Sequence, residues 1–97
     1  MRLKDTRENT EEAEIIALNV LSFLLSDSER TQRFVDLSGL GPEAIRAGAG
    51  DKTFLGSILD YLLADQTLLL IFTGERGLNP ERIAVLRRKL PGASLDF

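Results

Sequence analysis

The chain has 97 residues and contains neither cysteine nor histidine. The absence of cysteine excludes disulfides and thiolate metal sites, so nothing in the sequence points to an oxidising compartment. The absence of histidine removes the commonest general base, the usual zinc ligand and every Ser-His or Cys-His dyad. We therefore expect a non-catalytic protein that carries no cofactor and no metal.

Long hydrophobic runs are also lacking. The longest uninterrupted apolar segment is residues 68–72, far short of a membrane span. Glu11, Glu12 and Glu14 open the first apolar stretch, which is the wrong polarity for a signal peptide. A net charge of −3 and a pI near 4.9 oppose nonspecific attraction to phosphate backbones and anionic lipid. We expect a soluble, cytoplasmic protein that has no membrane partner, for which nucleic acid is a disfavoured partner and no small-molecule ligand is evident.

What the sequence does contain is an internal repeat. Residues 21–45 and 59–83 align without a gap at an offset of 38 positions, and ten of the 25 aligned pairs are identical. A period in this range is typical of helical units that bury their apolar faces against neighbouring units. No run of alternating β-branched residues indicates a strand. The sequence predicts an all-α fold, a compact bundle of five or six helices built from two tandem three-helix units.

Capping residues predict where the helices begin and end. The expected start signals are Thr10, Ser26 or Asp27, Gly41 with Pro42, Asp51, Asp65 and Asn79 with Pro80. Gly39 and Gly77 suit the left-handed position that follows a helix. The predicted domain organisation is a disordered tail over residues 1–9, one helical domain over residues 10–90 and a C-terminal tail over residues 91–97.

The two aligned units differ most in their middle helices. Residues 30–33 read Arg-Thr-Gln-Arg, whereas residues 68–71 read Leu-Leu-Leu-Ile. Four consecutive residues sweep most of the way around a helix, so the second middle helix has no polar face there. One interpretation makes it the enclosed central helix of the bundle. In the other, another chain covers part of it or a second apolar face of the first helix, with candidate interface residues Ile15, Leu18, Leu25 and Leu69.

The densest basic cluster lies in the last predicted helix, where Arg82, Arg88 and Lys89 are the candidate contacts to nucleic acid. These cations are dispersed around the helix, and cations in a last turn also favour the helix dipole. The preferred function is a non-catalytic module that acts through protein–protein contact or self-association. The alternative is a regulator that binds nucleic acid, because the first unit has the helix order of a helix-turn-helix.

Five short segments together resemble a known family. They are ALNVL, LSGL, AGD, LLAD and GLNPE, at residues 17–21, 37–40, 49–51, 62–65 and 77–81. In this order they resemble a family of small bacterial proteins catalogued as a domain of unknown function, number three-five-seven-two. The resemblance covers about residues 17–90. It implies a compact, single-domain, intracellular protein, and it supplies no activity and no catalytic residue.

Overall fold

A computed structural model describes the backbone of residues 2–92 and the side chains of residues 10–92. Within that part of the chain the secondary structure consists of six α-helices and contains no strand. The helices are α1 Arg2–Leu25, α2 Ser28–Ser38, α3 Pro42–Gly48, α4 Lys52–Leu63, α5 Gln66–Arg76 and α6 Pro80–Arg87. The predicted all-α fold with five or six helices is confirmed.

The central helix is α4, which packs against α1, α3, α5 and α6. Its buried residues recur at helical spacing and include Leu55, Ile58, Leu59 and Leu62. The long helix α1 lies against it and buries Ala13, Ala17, Val20 and Leu24, which share one face. The hydrophobic core is therefore built chiefly between α1 and α4, and the four shorter helices cover it.

The interpretation in which the second middle helix is enclosed at the centre of the bundle is wrong. That helix is α5, in which Leu70 is 49% exposed and Ile71 is 42% exposed. The neighbouring Phe72 and Thr73 are buried, and Leu69 packs half-buried against the core. Because α5 packs chiefly against α4 and α6, its apolar run continues onto the side that faces solvent.

Most of the predicted helix ends are confirmed by their hydrogen bonds. Asp27, Asp51, Asp65 and Asn79 each accept a backbone N–H bond at the N-terminus of α2, α4, α5 and α6. Of the two residues considered for α2, it is Asp27 that caps the helix. Gly39 and Gly77 follow α2 and α5 with φ of 75° and 66°, the left-handed conformation that glycine adopts without steric cost.

The predicted start of the first helix at Thr10 is wrong, because α1 begins at Arg2. No glycine or proline interrupts residues 2–9, so nothing in the local sequence prevents the helix from extending past Thr10. The disorder predicted for residues 1–9 stays a prediction. Of the predicted C-terminal tail, residues 93–97 lie outside the described residues.

The helix boundaries recur at the offset found in the sequence. Residues 25, 28, 38 and 42 bound helices of the first half, and the residues 38 positions later are Leu63, Gln66, Arg76 and Pro80, which bound the corresponding helices of the second. We call α1–α3 the N-half and α4–α6 the C-half. The superposition of the two halves in space stays a prediction.

Two aromatic contacts join the halves. The rings of Phe23 and Phe72 meet edge to face with centroids 5.2 Å apart, and those of Phe34 and Tyr61 do so at 5.0 Å. At the 38-residue offset Phe23 corresponds to Tyr61, and Phe34 corresponds to Phe72. The Phe23–Phe72 contact therefore corresponds to the contact between Tyr61 and Phe34. Such an exchange is what an approximate two-fold relation between the halves would produce.

Candidate functional site

An apolar ridge runs along the solvent-facing side of α1. It consists of the apolar residues Ile15, Leu18 and Leu25 and of the small polar Ser22 between them. Their spacing of three, four and three residues keeps all four on one helix face. Ile15 is 58%, Leu18 40% and Leu25 43% exposed, although the opposite face of the same helix is fully buried. Three of the four predicted interface residues therefore lie together on one surface, which we call the α1 ridge.

The fourth, Leu69, lies elsewhere. It is half-buried on α5 and contacts the core, so less of its side chain is available than of the neighbouring Leu70 and Ile71. Leu37, on α2, is 64% exposed and was also missed by the sequence analysis. Its exposed position could have been inferred from the offset, because the corresponding residue of the second unit is the charged Glu75.

Beside the ridge, the C-terminal end of α1 forms a groove with α2 and α3. This cavity of about 410 Å³ is lined by Leu21, Leu25, Thr31, Val35, Pro42, Ile45, Arg46 and Ala49, and we call it the α3 groove. A shallower depression along the ridge shares Leu21 and Leu25 with it, so ridge and groove form one continuous surface. Arg46 is the one charged residue of the groove lining.

The groove is open because α3 packs on α4 and not extensively on α1 or α2. The ring of Phe54, on α4, lies so close to Gly48 that any Cβ at position 48 would clash with it. This contact joins the C-terminal end of α3 to α4, whereas α3 does not pack extensively on α1 or α2. The space between α3 and the α1–α2 corner is consequently not filled by side chains.

The corresponding region of the C-half is closed. There α6 packs on both α4 and α5, and the positions that match Thr31 and Ala49 of the groove are occupied by Leu69 and Arg87. Leu69 contacts the core, and only 8% of Arg87 is exposed. The C-half thus has larger side chains than the N-half at these two positions.

A bidentate ion pair holds α6 to α4. The Nε and Nη2 atoms of Arg87 donate to the two carboxylate oxygens of Asp60 at 2.7 and 3.0 Å. The Nη1 atom donates to the carbonyl oxygens of Leu90 and Pro91, so the guanidinium also fixes the turn after α6. Gly56 allows this close approach, because a Cβ there would lie 2.6 Å from Nη1. This ion pair was not predicted from the sequence.

The predicted basic contact residues do not form a continuous positive surface. Arg82 donates two hydrogen bonds to the carboxylate of Glu12, at 2.6 and 2.7 Å, which offsets its charge. Arg88 and Lys89 are exposed in the turn that follows α6. The one buried cation nearby, Arg87, is neutralised by Asp60.

A second cavity of about 400 Å³ lies between α2 and the junction of α4 and α5, where it is lined in part by Arg33, Tyr61 and Asp65. Burial raises the pKa of the Tyr61 hydroxyl; Arg33 opposes this shift, and Asp65 adds to it. Asp65 already caps α5 and approaches Arg33 at 4.0 Å. The charged groups of this cavity, Arg33 and Asp65, face each other within the fold.

No group of three or more acidic side chains among residues 10–92 is placed to hold a metal ion. None of the described helices is long and apolar enough on its own to cross a membrane; α4 and α5 meet the length and composition criteria only as a pair, with a bend of 105° between them.

A family model matches residues 10–93 of the chain, and its description is protein of unknown function, DUF3572. The match covers more than half of the chain. This protein belongs to the DUF3572 family. Neither a curated protein nor a solved structure matches it. Because the matched residues include the α1 ridge and the α3 groove, both features lie in the part of the chain that defines its DUF3572 membership, and the resemblance inferred from short segments is confirmed.

Proposed function

We propose that this DUF3572 protein is a non-catalytic helical module that acts through protein–protein contact, with the α1 ridge and the α3 groove as its contact surface. The observation that carries this proposal is the exposure of Ile15, Leu18 and Leu25 on a helix whose other face is fully buried. Exposed apolar residues that adjoin an apolar groove are typical of surfaces that bind another helix.

A cytoplasmic location is part of the proposal. It is supported by the absence of cysteine, since a chain without thiols gains nothing from an oxidising compartment. A regulator that binds nucleic acid remains the alternative function. It has weaker support, because Glu12 offsets the charge of Arg82 and the net charge of the chain is −3.

The experiment compares three versions of the chain as affinity baits in extracts of the native host: the wild type, Leu18→Glu and Leu70→Glu. Both substitutions place a carboxylate on an exposed leucine, but Leu70 lies on α5, away from the ridge. Circular dichroism first establishes that each variant is folded. We expect proteins that bind the wild type to be retained by Leu70→Glu and lost with Leu18→Glu.

Two results would count against the proposal. Equal retention by the two variants would mean that the ridge is not the contact surface. Binding of a labelled DNA duplex or RNA hairpin that is lost in Arg88→Ala and kept in Leu18→Glu would favour the nucleic-acid alternative. Fluorescence anisotropy at two salt concentrations measures that binding, because contacts to phosphates weaken as salt is raised.

A further inference from the structure

The α1 ridge and the α3 groove lie side by side and share Leu25. A surface with an apolar projection next to an apolar recess is complementary to a second copy of itself. When two copies are related by a two-fold axis, the ridge of each meets the groove of the other, and both contacts form at once. The same surface of a second copy can therefore cover both the ridge and the groove.

Charges at the two ends of this surface also complement each other. Glu11 lies four residues before Ile15 on the same face of α1, and Arg46 belongs to the groove lining. Within residues 10–92 neither side chain forms an ion pair, although the neighbouring Glu12 and Glu14 bind Arg82 and Lys52. Among the described residues 10–92, the surface thus carries one unpaired anion beyond the ridge and one unpaired cation at the groove.

We propose that the α1 ridge and the α3 groove form the interface of an antiparallel, two-fold symmetric dimer of this chain. In this dimer Ile15 and Leu18 of each copy occupy the groove of the other, and Glu11 of each copy pairs with Arg46 of the other. The proposal rests on the proposed function, which it deepens by identifying the partner as a second copy.

The spacing of the ridge fits a helix pair. Intervals of three and four residues are those of the seam between two packed helices, and the ridge from Ile15 to Leu25 is about 15 Å long. In an antiparallel pair centred between Leu18 and Ser22, Ile15 of one copy lies opposite Leu25 of the other. The small Ser22 side chain at the centre lets the two helices approach closely.

The C-half shows that this fold accepts side chains at the position of the groove. There the side chains at the positions of Thr31 and Ala49 are Leu69 and Arg87, which are larger and pack within the chain. In the N-half the same space is left for side chains from outside. Leucine and isoleucine from a second copy supply the apolar surface that Thr31 and Ala49 do not.

The first experiment measures the oligomeric state of the full chain by light scattering from micromolar to millimolar concentration. We expect a monomer–dimer equilibrium that Leu18→Glu weakens at least about 100-fold, because the carboxylate would be buried twice in the dimer. Leu70→Glu, on α5, should dimerise like the wild type. A monomer at every concentration would overturn the proposal, and so would a dimer that Leu18→Glu leaves intact.

The second experiment exchanges the two charges. Glu11→Arg and Arg46→Glu should each weaken the dimer about tenfold, because each single variant brings like charges together in both symmetric contacts. The double variant restores the opposite charges and should recover the wild-type affinity at low salt. If the double variant dimerises no better than the single ones, the antiparallel arrangement is wrong.

The third experiment uses the lack of cysteine, since a single substitution then introduces the only thiol. A short bismaleimide should join two copies of Ser22→Cys, which lies at the centre of the proposed interface. Ser57→Cys is the matched control, because Ser57 is an exposed serine on α4 outside the ridge and the groove. Equal crosslinking of the two variants would overturn the proposal, even if Leu18→Glu fails to fold.

The failure of this proposal can be told apart from failure of the proposed function. A chain that stays monomeric, yet binds a host protein through a surface sensitive to Leu18→Glu, contradicts the dimer and supports contact with a different protein. A chain that neither dimerises nor binds a host protein through the ridge contradicts both.

Discussion

The N-half and the C-half have closely corresponding helix boundaries but differ in how their third helix is held. In the C-half α6 packs on α4 and α5, and Arg87 binds Asp60 across the junction with α4. In the N-half the corresponding residues are Ala49 and Ser22, which cannot form an ion pair, and a groove separates α3 from α1 and α2. Two units with the same helix boundaries therefore differ in the packing of their third helix, which is tight in the C-half and leaves a groove in the N-half. The difference follows from the side chains at a few positions.

The largest expected effect comes from breaking the ion pair that closes the C-half. Arg87→Ala removes the bidentate contact with Asp60 and two bonds to backbone carbonyls, so we expect it to lower the free energy of unfolding by about 2–4 kcal/mol. The value is discounted because Asp60 is partly exposed. Urea denaturation followed by circular dichroism measures it.

The matched control is Arg88→Ala, the adjacent exposed arginine, which should stay within about 0.5 kcal/mol of wild type. Equal losses in the two variants would mean that the ion pair does not hold the C-half closed.

Gly39 and Gly77 end α2 and α5 at corresponding positions. Replacing each of them shows whether the same substitution has the same cost in stability in the two halves. Gly39→Ala and Gly77→Ala should each cost about 1 kcal/mol, because both residues have positive φ and an alanine there is strained. Thermal melts of the two variants provide the measurement. A large cost in one half and none in the other would show that the two turns are not equivalent.

Gly74 serves as the control for these turns, since it lies inside α5 with open space around it. Gly74→Ala should stabilise the protein by about 0.5–1 kcal/mol through its higher helix propensity. Destabilisation there would indicate that alanine is disfavoured for reasons other than backbone conformation.

A transplant of the ion pair from the C-half to the N-half sharpens the comparison further. Ser22→Asp and Ala49→Arg place the same two residue types at the corresponding positions, in a Leu18→Gly background that supplies the counterpart of Gly56. A double-mutant cycle should give a favourable coupling of about 0.5 kcal/mol, the value of a partly exposed ion pair. The cycle is measured by denaturation at concentrations where the chain is monomeric. Zero coupling would mean that the two positions do not approach each other in the N-half as they do in the C-half.

The smallest effect concerns Tyr61, which replaces Phe23 at the offset position. Because burial raises the pKa of its hydroxyl above the ordinary value of 10.0, the folded state holds the proton more tightly than the unfolded state does. The resulting stabilisation is present below pH 10 and is lost as the pH rises through the raised pKa. Since the chain has one tyrosine, the tyrosinate absorbance of the folded protein reports this pKa directly.

The unfolded protein in urea should titrate near 10, and the folded protein higher. Tyr61→Phe should remove the part of the alkaline destabilisation that this hydroxyl causes. Coincident titration of the folded and unfolded chains would contradict the raised pKa.

The features predicted correctly from the sequence are those that depend on local chemistry. Asp27 and Asp65 cap their helices through bonds to residues three positions later, and Gly39 and Gly77 end helices through their own backbone freedom. The second apolar face of α1, with Ile15, Leu18 and Leu25, was also identified from the sequence, as one of two interpretations, because it is distinct from the face holding Ala13, Ala17 and Val20.

The features that the sequence analysis missed depend on the approach of distant segments. Asp60 and Arg87 are 27 positions apart, and nothing in their neighbours indicates that they meet. The groove exists because α3 fails to pack where α6 does, which is a property of the assembled bundle. The exposure of Leu70 and Ile71 was missed for a related reason: hydrophobic pattern shows that a helix is apolar all round, but it does not show which neighbours cover it.

The contact between Phe54 and Gly48 has a further consequence for how the chain unfolds. Helix α3 has seven residues and buries only Ile45, so with a single ring holding one end it is too short to persist without its neighbours. Its amide hydrogens should exchange with solvent through local opening, well before those of α4 exchange through global unfolding. We therefore expect α3 to be a segment of the N-half that opens locally, more often than the bundle unfolds as a whole.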